Sequence, residues 1–130
     1  MKLYISSARR FLIEYRNGGV GKLQRTIIEE KDSDAAWNKL VEMYPDADYE
    51  DDMEIFDNTE DIRKEMFRRA GNKTEQNIIY WIIDGLNSGK LNVDNYYDVI
   101  RERTKRIRSD REIKSWQYFA DMIYQQISNW

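Results

Sequence analysis

The stretch "DSDAAWNKLVEMYPDADYEDDMEIFD", from Asp32 to Asp57, decides the fold class because it joins a helical pattern to a strand pattern. Asp32 or Ser33 can cap a helix, and Pro45 ends it, since proline lacks the backbone N–H that a helix interior needs. The apolar side chains between them recur at helical spacing, and they are Ala36, Trp37, Leu40, Val41, Met43 and Tyr44. The stretch therefore predicts an amphipathic helix that ends at Pro45.

The residues after this helix predict a short edge strand. In "YEDDMEIFD", residues 49–57, the strand would run through Met53, Ile55 and Phe56. Exposed edge strands are often charged, because charge discourages pairing with another chain. The carboxylates of this stretch thus have a purely structural explanation as a solvated edge, beside the functional ones considered below.

Two runs upstream of the helix are suited to β-structure. "RRFLIEYRN" covers residues 9–17 and "KLQRTIIEEK" covers residues 22–31, and the Gly-rich "NGGVG" of residues 17–21 links them. Alternating side chains on either side of a flexible turn predict a β-hairpin. An alternative remains open, in which a helix begins at Ser7 and ends at Asn17, because some apolar residues of the first run also share a helical face.

Downstream of this unit the apolar spacing is helical and predicts four helices. The first covers residues 59–70, and the second contains the nearly all-apolar run of residues 77–86 and ends at Gly89. The third is expected within residues 91–107, and the fourth begins at a capping box, Ser109–Glu112. The third helix is expected to turn inward Val93, Tyr96, Tyr97, Ile100, Thr104 and Ile107.

These patterns together predict the α+β class. A small N-terminal ββαβ-like unit in residues 1–57 is followed by a bundle of about four helices in residues 58–130. A chain of 130 residues is long enough to bury a core without disulfides or metals, so a single domain is expected.

The composition excludes several classes of chemistry. The chain has no cysteine and no histidine, which rules out disulfides, thiolate metal sites and every Ser-His or Cys-His arrangement. The N-terminal residues form no apolar signal region, and the longest apolar run, Ile78 to Ile83, is too short to cross a bilayer. A cytoplasmic protein with no membrane partner is expected.

The net charge of −3 hides a strong segregation. Residues 46–61 contain nine carboxylates and no Lys or Arg, whereas the rest of the chain carries a net charge of +6. One segment therefore makes an otherwise basic chain acidic.

Two motif interpretations fail on missing residues, and a third fails on its place in the chain. "GGVGK" at residues 18–22 lacks the first glycine and the Ser or Thr of a phosphate-binding loop. Asp46, Asp48 and Glu50 alternate as in a calcium loop, but Asp51 and Asp57 stand where that loop needs glycine and a bidentate glutamate. The letters of a two-metal nuclease motif occur at Pro45-Asp46 and at Glu112–Lys114, but the second piece lies at a predicted helix start and not on a sheet. No metal site and no cofactor are predicted.

The acidic segment can also serve as a binding surface, because carboxylates can occupy the phosphate-binding sites of a basic groove. The predicted partner-binding residues are Asp46, Asp48, Tyr49, Glu50, Asp51, Asp52, Glu54 and Asp57. The alternative is a small nucleic-acid-binding regulator that uses the basic segment of residues 101–114, in which Arg101, Lys105 and Arg108 would share one helix face. The residues of that alternative are Arg101, Arg103, Lys105, Arg106 and Arg108. A homodimer through the aromatic-rich final helix is a further hypothesis.

The segment "RTIIEEKDSDAAWNKLVEMYPDADYEDDMEI", Arg25 to Ile55, resembles small ββαβ units of accessory proteins from phages and other mobile elements. The resemblance covers about a quarter of the chain and includes no catalytic motif, so it carries over no functional residue. It implies binding rather than catalysis, as in anti-CRISPR and anti-restriction proteins. We therefore expect a non-enzymatic inhibitor of a host nucleic-acid-processing defence enzyme.

Overall fold

A computed structural model describes residues 9–130 and confirms the α+β class. The chain divides into two compact units, with the boundary between Ile55 and Phe56. The described part of the first unit contains three strands and one helix: β1 (Arg9–Asn17), β2 (Gln24–Glu30), α1 (Ser33–Met43) and β3 (Ala47–Ile55). The second contains four helices: α2 (Thr59–Arg69), α3 (Lys73–Ser88), α4 (Tyr96–Thr104) and α5 (Asp110–Ile127). That the whole chain forms one domain stays a prediction.

The first unit is an antiparallel sheet with strand order β2-β1-β3. Strands β1 and β2 form the predicted hairpin, and the alternative helix is wrong over the described residues 9–17. Alternation along β1 points Phe11, Ile13 and Tyr15 to one face of the sheet, where they form a core with Ile28. Strand pairing therefore prevails over the helical spacing in β1, because the paired strands bury these side chains together.

Helix α1 packs its apolar stripe against that core. Ala36 and Leu40 are fully buried in it, and Trp37 packs beside them. The helix begins as predicted, because the side chain of Asp32 accepts a hydrogen bond from the backbone N–H of Ala35 at 2.8 Å. The helix ends at Met43, two residues before Pro45.

Strand β3 is longer than predicted and ends earlier, since it starts at Ala47 and excludes Phe56. Its pairing with β1 contains a bulge: Glu14 faces Asp51 and Tyr15 faces Tyr49, which leaves Glu50 without a cross-strand partner. Among the described strands, β3 has a neighbour on one side only, so it forms an edge of this sheet.

In the second unit, α5 contacts each of the other three helices, α2, α3 and α4. Side-chain caps begin two of its helices: the Asn72 side chain caps α3 through the N–H of Glu75, and Ser109 caps α5 through the N–H of Glu112 as predicted. Gly89 ends α3 in the left-handed conformation, with φ of 80°. In the described chain, no helix is long and apolar enough to cross a membrane.

The third helix of the bundle is shorter than predicted. Asn92 and Asn95 exchange hydrogen bonds between their side-chain oxygens and each other's backbone N–H, and this local turn keeps the chain out of a helix before Tyr96. Helix α4 ends at Thr104, so Ile107 lies beyond it. Val93 is 44% exposed and Tyr97 is 41% exposed, so the prediction that both turn inward was wrong.

Tyr96 is fully buried, and its hydroxyl donates a hydrogen bond to the carbonyl of Ala120 at 2.6 Å. Burial, with smaller effects of Tyr97 and Asp121, raises the pKa of Tyr96 far above the ordinary tyrosine value of about 10. Above a pH of about 10, the unfolded chain releases the Tyr96 proton, whereas the folded chain keeps it. The free energy of unfolding should therefore fall by about 1.4 kcal/mol per pH unit from this group.

Denaturant titrations between pH 9 and 11.5 test this expectation, and Tyr96→Phe should show a shallower loss of stability with pH than the wild type. Tyr80→Phe, which removes a half-exposed hydroxyl from α3, is the matched control variant. Equal slopes for the wild type and Tyr96→Phe would contradict the assignment.

Candidate functional site

Two turns meet at one end of the first unit. The β1–β2 turn contains Gly18 and Gly19 in the left-handed conformation, with φ of 72° and 74°. The backbone N–H of Gly18 donates to the carbonyl of Asp46, in the α1–β3 turn, at 2.8 Å. We refer to this end of the unit, residues 17–21 and 43–51, as the tip. The hydrogen bond holds its two segments side by side.

The tip carries an unusual share of exposed apolar side chains. Val20 is 94% exposed, and Met43, Tyr44 and Tyr49 are between 41% and 49% exposed. Large apolar groups at such exposure are typical of surfaces that another molecule covers, particularly where several lie close together.

The two tyrosines of the tip are held by aromatic contacts beneath them. Tyr44 stacks on the buried ring of Tyr15, with 5.7 Å between ring centroids. Tyr49 meets Trp37 of α1 edge to face at 5.5 Å. These contacts restrict both rings before any partner binds, which lowers the entropy that binding would cost.

Three carboxylates of the tip point to solvent: Asp46, Asp48 and Asp51 are exposed. Across residues 9–130, no Lys or Arg forms an ion pair with any of the three. The Asp48 carboxylate lies against the hairpin turn, so close that a Cβ added at Gly19 would stand 2.8 Å from its oxygen. The negative charge of Asp48 therefore lies against the hairpin turn that also carries Val20.

The other carboxylates of the predicted surface either have a cationic partner or lie outside the tip. Glu54 accepts two hydrogen bonds from the Arg9 guanidinium, both at 2.7 Å. Glu50 forms an ion pair with Arg16 at 3.3 Å. Asp52 is only half-exposed, and it pairs across the sheet with Ile13 of β1. Asp57 belongs to the second unit. The structure thus places Asp46, Asp48, Tyr49 and Asp51 of the predicted set at the tip, and it gives Glu50 and Glu54 cationic partners. Within the tip, Tyr49 lies on the sheet face that packs against α1, and Asp48 and Asp51 lie on the opposite face.

Sequence reasoning missed Val20 and Met43. The signal for Val20 was present, since a β-branched residue between glycines in a hairpin turn has no core to enter. Met43 lies on the predicted apolar stripe of α1, but the helix ends there and leaves the side chain 47% exposed.

The basic residues of the alternative surface do not share one helix face. Helix α4 ends at Thr104, so Arg106 and Arg108 lie in the connection to α5, and the prediction that placed Arg101, Lys105 and Arg108 on one face was wrong. Arg101 pairs with Asp98 at 3.0 Å, and Lys105 pairs with Glu102.

Arg103 is engaged within the second unit. Its guanidinium carbon lies 5.2 Å from the ring centroid of Trp116 and 5.8 Å from that of Trp81. The two indoles contact each other edge to face at 5.4 Å. This cation–π contact favours a structural role for Arg103 over one in binding a partner.

In the part of the chain that the structure describes, no three acidic side chains form a cluster that could hold a metal ion. The homodimer through the final helix stays a prediction. Comparison of the chain with protein-family models, curated proteins and solved structures found no match, so the function is argued from the site itself.

Proposed function

We propose that the chain is a binding protein without catalytic activity that docks through its tip onto a basic protein surface. The observation that carries the proposal is the placement, at the same end of the first unit, of four exposed apolar side chains and three exposed carboxylates that form no ion pair within residues 9–130. Aromatic anchors inside a polar rim are the usual composition of a binding hot spot.

Charge specifies the kind of partner. Asp46, Asp48 and Asp51 would attract a surface rich in Lys and Arg and speed its association at low salt. Enzymes that process nucleic acids present such surfaces, because they neutralise phosphates. Together with the resemblance to anti-defence proteins, this supports a host nucleic-acid-processing defence enzyme as the target, with the tip occupying part of its phosphate-binding groove.

The experiment begins with capture of proteins from the host by the immobilised chain, followed by purification of the captured protein. The proposal requires that the purified protein binds nucleic acid and that the chain competes for that binding. Calorimetry then measures the affinity of the captured protein for the wild-type chain and for a triple variant that combines Asp46→Asn, Asp48→Asn and Asp51→Asn. Loss of three rim charges should weaken binding on the order of tenfold at low salt, and less at high salt.

The anchors have a separate variant, Tyr44→Ala with Tyr49→Ala, which should weaken binding about thirtyfold or more, as hot-spot truncations do. The charge control is Glu29→Gln, Asp84→Asn, Asp94→Asn, which removes three exposed carboxylates away from the tip and should leave the affinity unchanged. A charge-neutral tip that binds as tightly as the wild type, or a captured partner that is acidic, would reject the proposal.

A further inference from the structure

Helices α4 and α5 enclose a groove of about 280 Å³ within the second unit. Its floor is apolar and is formed by Ile100, Ile113, Trp116 and Ala120. Polar side chains form its rim: Arg101, Thr104, Gln117 and Asp121, with the ring of Tyr97 beside them. A groove with an apolar floor and a few polar groups around it has the composition of a ligand site.

The ends of the groove differ in charge. At one end, the Tyr97 hydroxyl donates to the Asp121 carboxylate at 3.3 Å and bridges the two helices. At the other end, the connection between Thr104 and Asp110 carries exposed cations. Arg106 and Arg108 have no carboxylate partner among the described residues, unlike Lys105. The groove therefore leads from an apolar floor to free positive charge.

One buried polar group beside the groove also lacks a partner. The indole N–H of Trp116, a residue that lines the groove and is 3% exposed, makes no hydrogen bond to any described residue. Buried donors are normally satisfied, so an acceptor brought by water or by a ligand is expected near this side chain.

We propose that this groove receives a base of single-stranded nucleic acid, while Arg106 and Arg108 hold the adjoining phosphates. The groove is smaller than a site for a drug-sized ligand, which suits one planar base rather than a whole nucleotide. The half-exposed ring of Tyr97 provides a stacking surface, and the rim supplies both donors and acceptors for base edges. A duplex would not fit, because its bases are stacked and paired. The free cations favour a polyanion over an apolar peptide as the occupant.

Fluorescence anisotropy with labelled oligothymidine at low salt tests the proposal. The wild type should bind, and its affinity should fall steeply as salt rises. Arg106→Gln with Arg108→Gln should reduce the slope of log affinity against log salt by about 1.4, the value for two lost contacts to single-stranded phosphates. Tyr97→Ala should weaken binding by at least about fivefold, as expected for a lost base–aromatic stack.

Matched variants keep the outcome interpretable. Lys64→Gln with Lys90→Gln removes the same charge from exposed positions elsewhere in the second unit and should retain the wild-type slope. Gln117→Glu adds a negative charge at the groove rim and should weaken binding, whereas Asn77→Asp adds one on exposed α3 and should not. Far-ultraviolet circular dichroism establishes that each variant is folded.

Three results would overturn the proposal: no anisotropy change at low salt, equal losses in the groove variants and their controls, or tighter binding of polyglutamate than of oligothymidine. The last would assign the surface to an acidic protein instead. Because the groove and the tip belong to different units, failure of one proposal leaves the other unaffected.

Discussion

Leu40→Ala is expected to lower the free energy of unfolding by about 2–5 kcal/mol, the range for a fully buried leucine whose removal leaves a cavity. Leu40 is 0% exposed and packs from α1 into the cluster formed with Phe11, Ile13 and Ile28. This cluster is where α1 meets the sheet of the first unit, so the loss should affect the whole contact. Urea unfolding followed by circular dichroism measures the change.

The neighbouring substitution Lys39→Ala is the control for Leu40→Ala. Lys39 is exposed on the same helix and forms no ion pair with a described residue, so its truncation should change stability by no more than about 0.5 kcal/mol. A loss below about 1 kcal/mol for Leu40→Ala would show that α1 does not pack on the sheet as described, since buried leucines are not that tolerant.

Gln126→Leu is the second substitution with a large expected effect, a loss of about 1–3 kcal/mol, because it leaves a backbone donor unsatisfied. The Gln126 side chain is 0% exposed, and its oxygen accepts a hydrogen bond from the backbone N–H of Phe56 at 2.8 Å. The carbonyl of the same Phe56 accepts from the indole N–H of Trp130 at 3.0 Å. The C-terminal end of the second unit thus anchors the residue with which that unit begins.

Gln125→Leu is the matched control, since it makes the same change one position earlier on α5, where the side chain makes no hydrogen bond to a described residue. Thermal and urea unfolding of both variants should separate them by at least about 1 kcal/mol. If Gln126→Leu were as stable as the wild type, or more so, the hydrogen bond from Phe56 would make no net contribution to stability, and the expected anchoring of Phe56 would be wrong.

Much of the fold was predictable because local signals agreed with the tertiary contacts. Asp32, Asn72 and Ser109 each cap the predicted helix with their own side chain, and Gly89 ends α3 as expected. The prediction failed where short-range polar contacts prevail over apolar spacing. The turn built by Asn92 and Asn95 shortens α4 and leaves outside it residues that the helical period had included.

The candidate site was less predictable than the fold. Composition identified the acidic segment, but only four of the eight predicted residues are left as candidates at the tip. Glu50 and Glu54 pair with arginines of β1, and Asp52 and Asp57 lie outside the tip. No local pattern indicates that Arg9 will lie beside Glu54, 45 residues later in the chain, since that contact depends on strand register.

The sequence alone determined the α+β fold class and the order of most helices and strands. It also determined the absence of histidine and cysteine chemistry and the concentration of negative charge in residues 46–61. These properties depend on residue type and on spacing within a few turns of chain. Only the tertiary structure decided which charges stay unpaired and which apolar side chains accompany them. That outcome depends on pairing between distant segments, as where the hydrogen bond from Gly18 to Asp46 joins the hairpin turn to the acidic segment and Gly19 lies against Asp48.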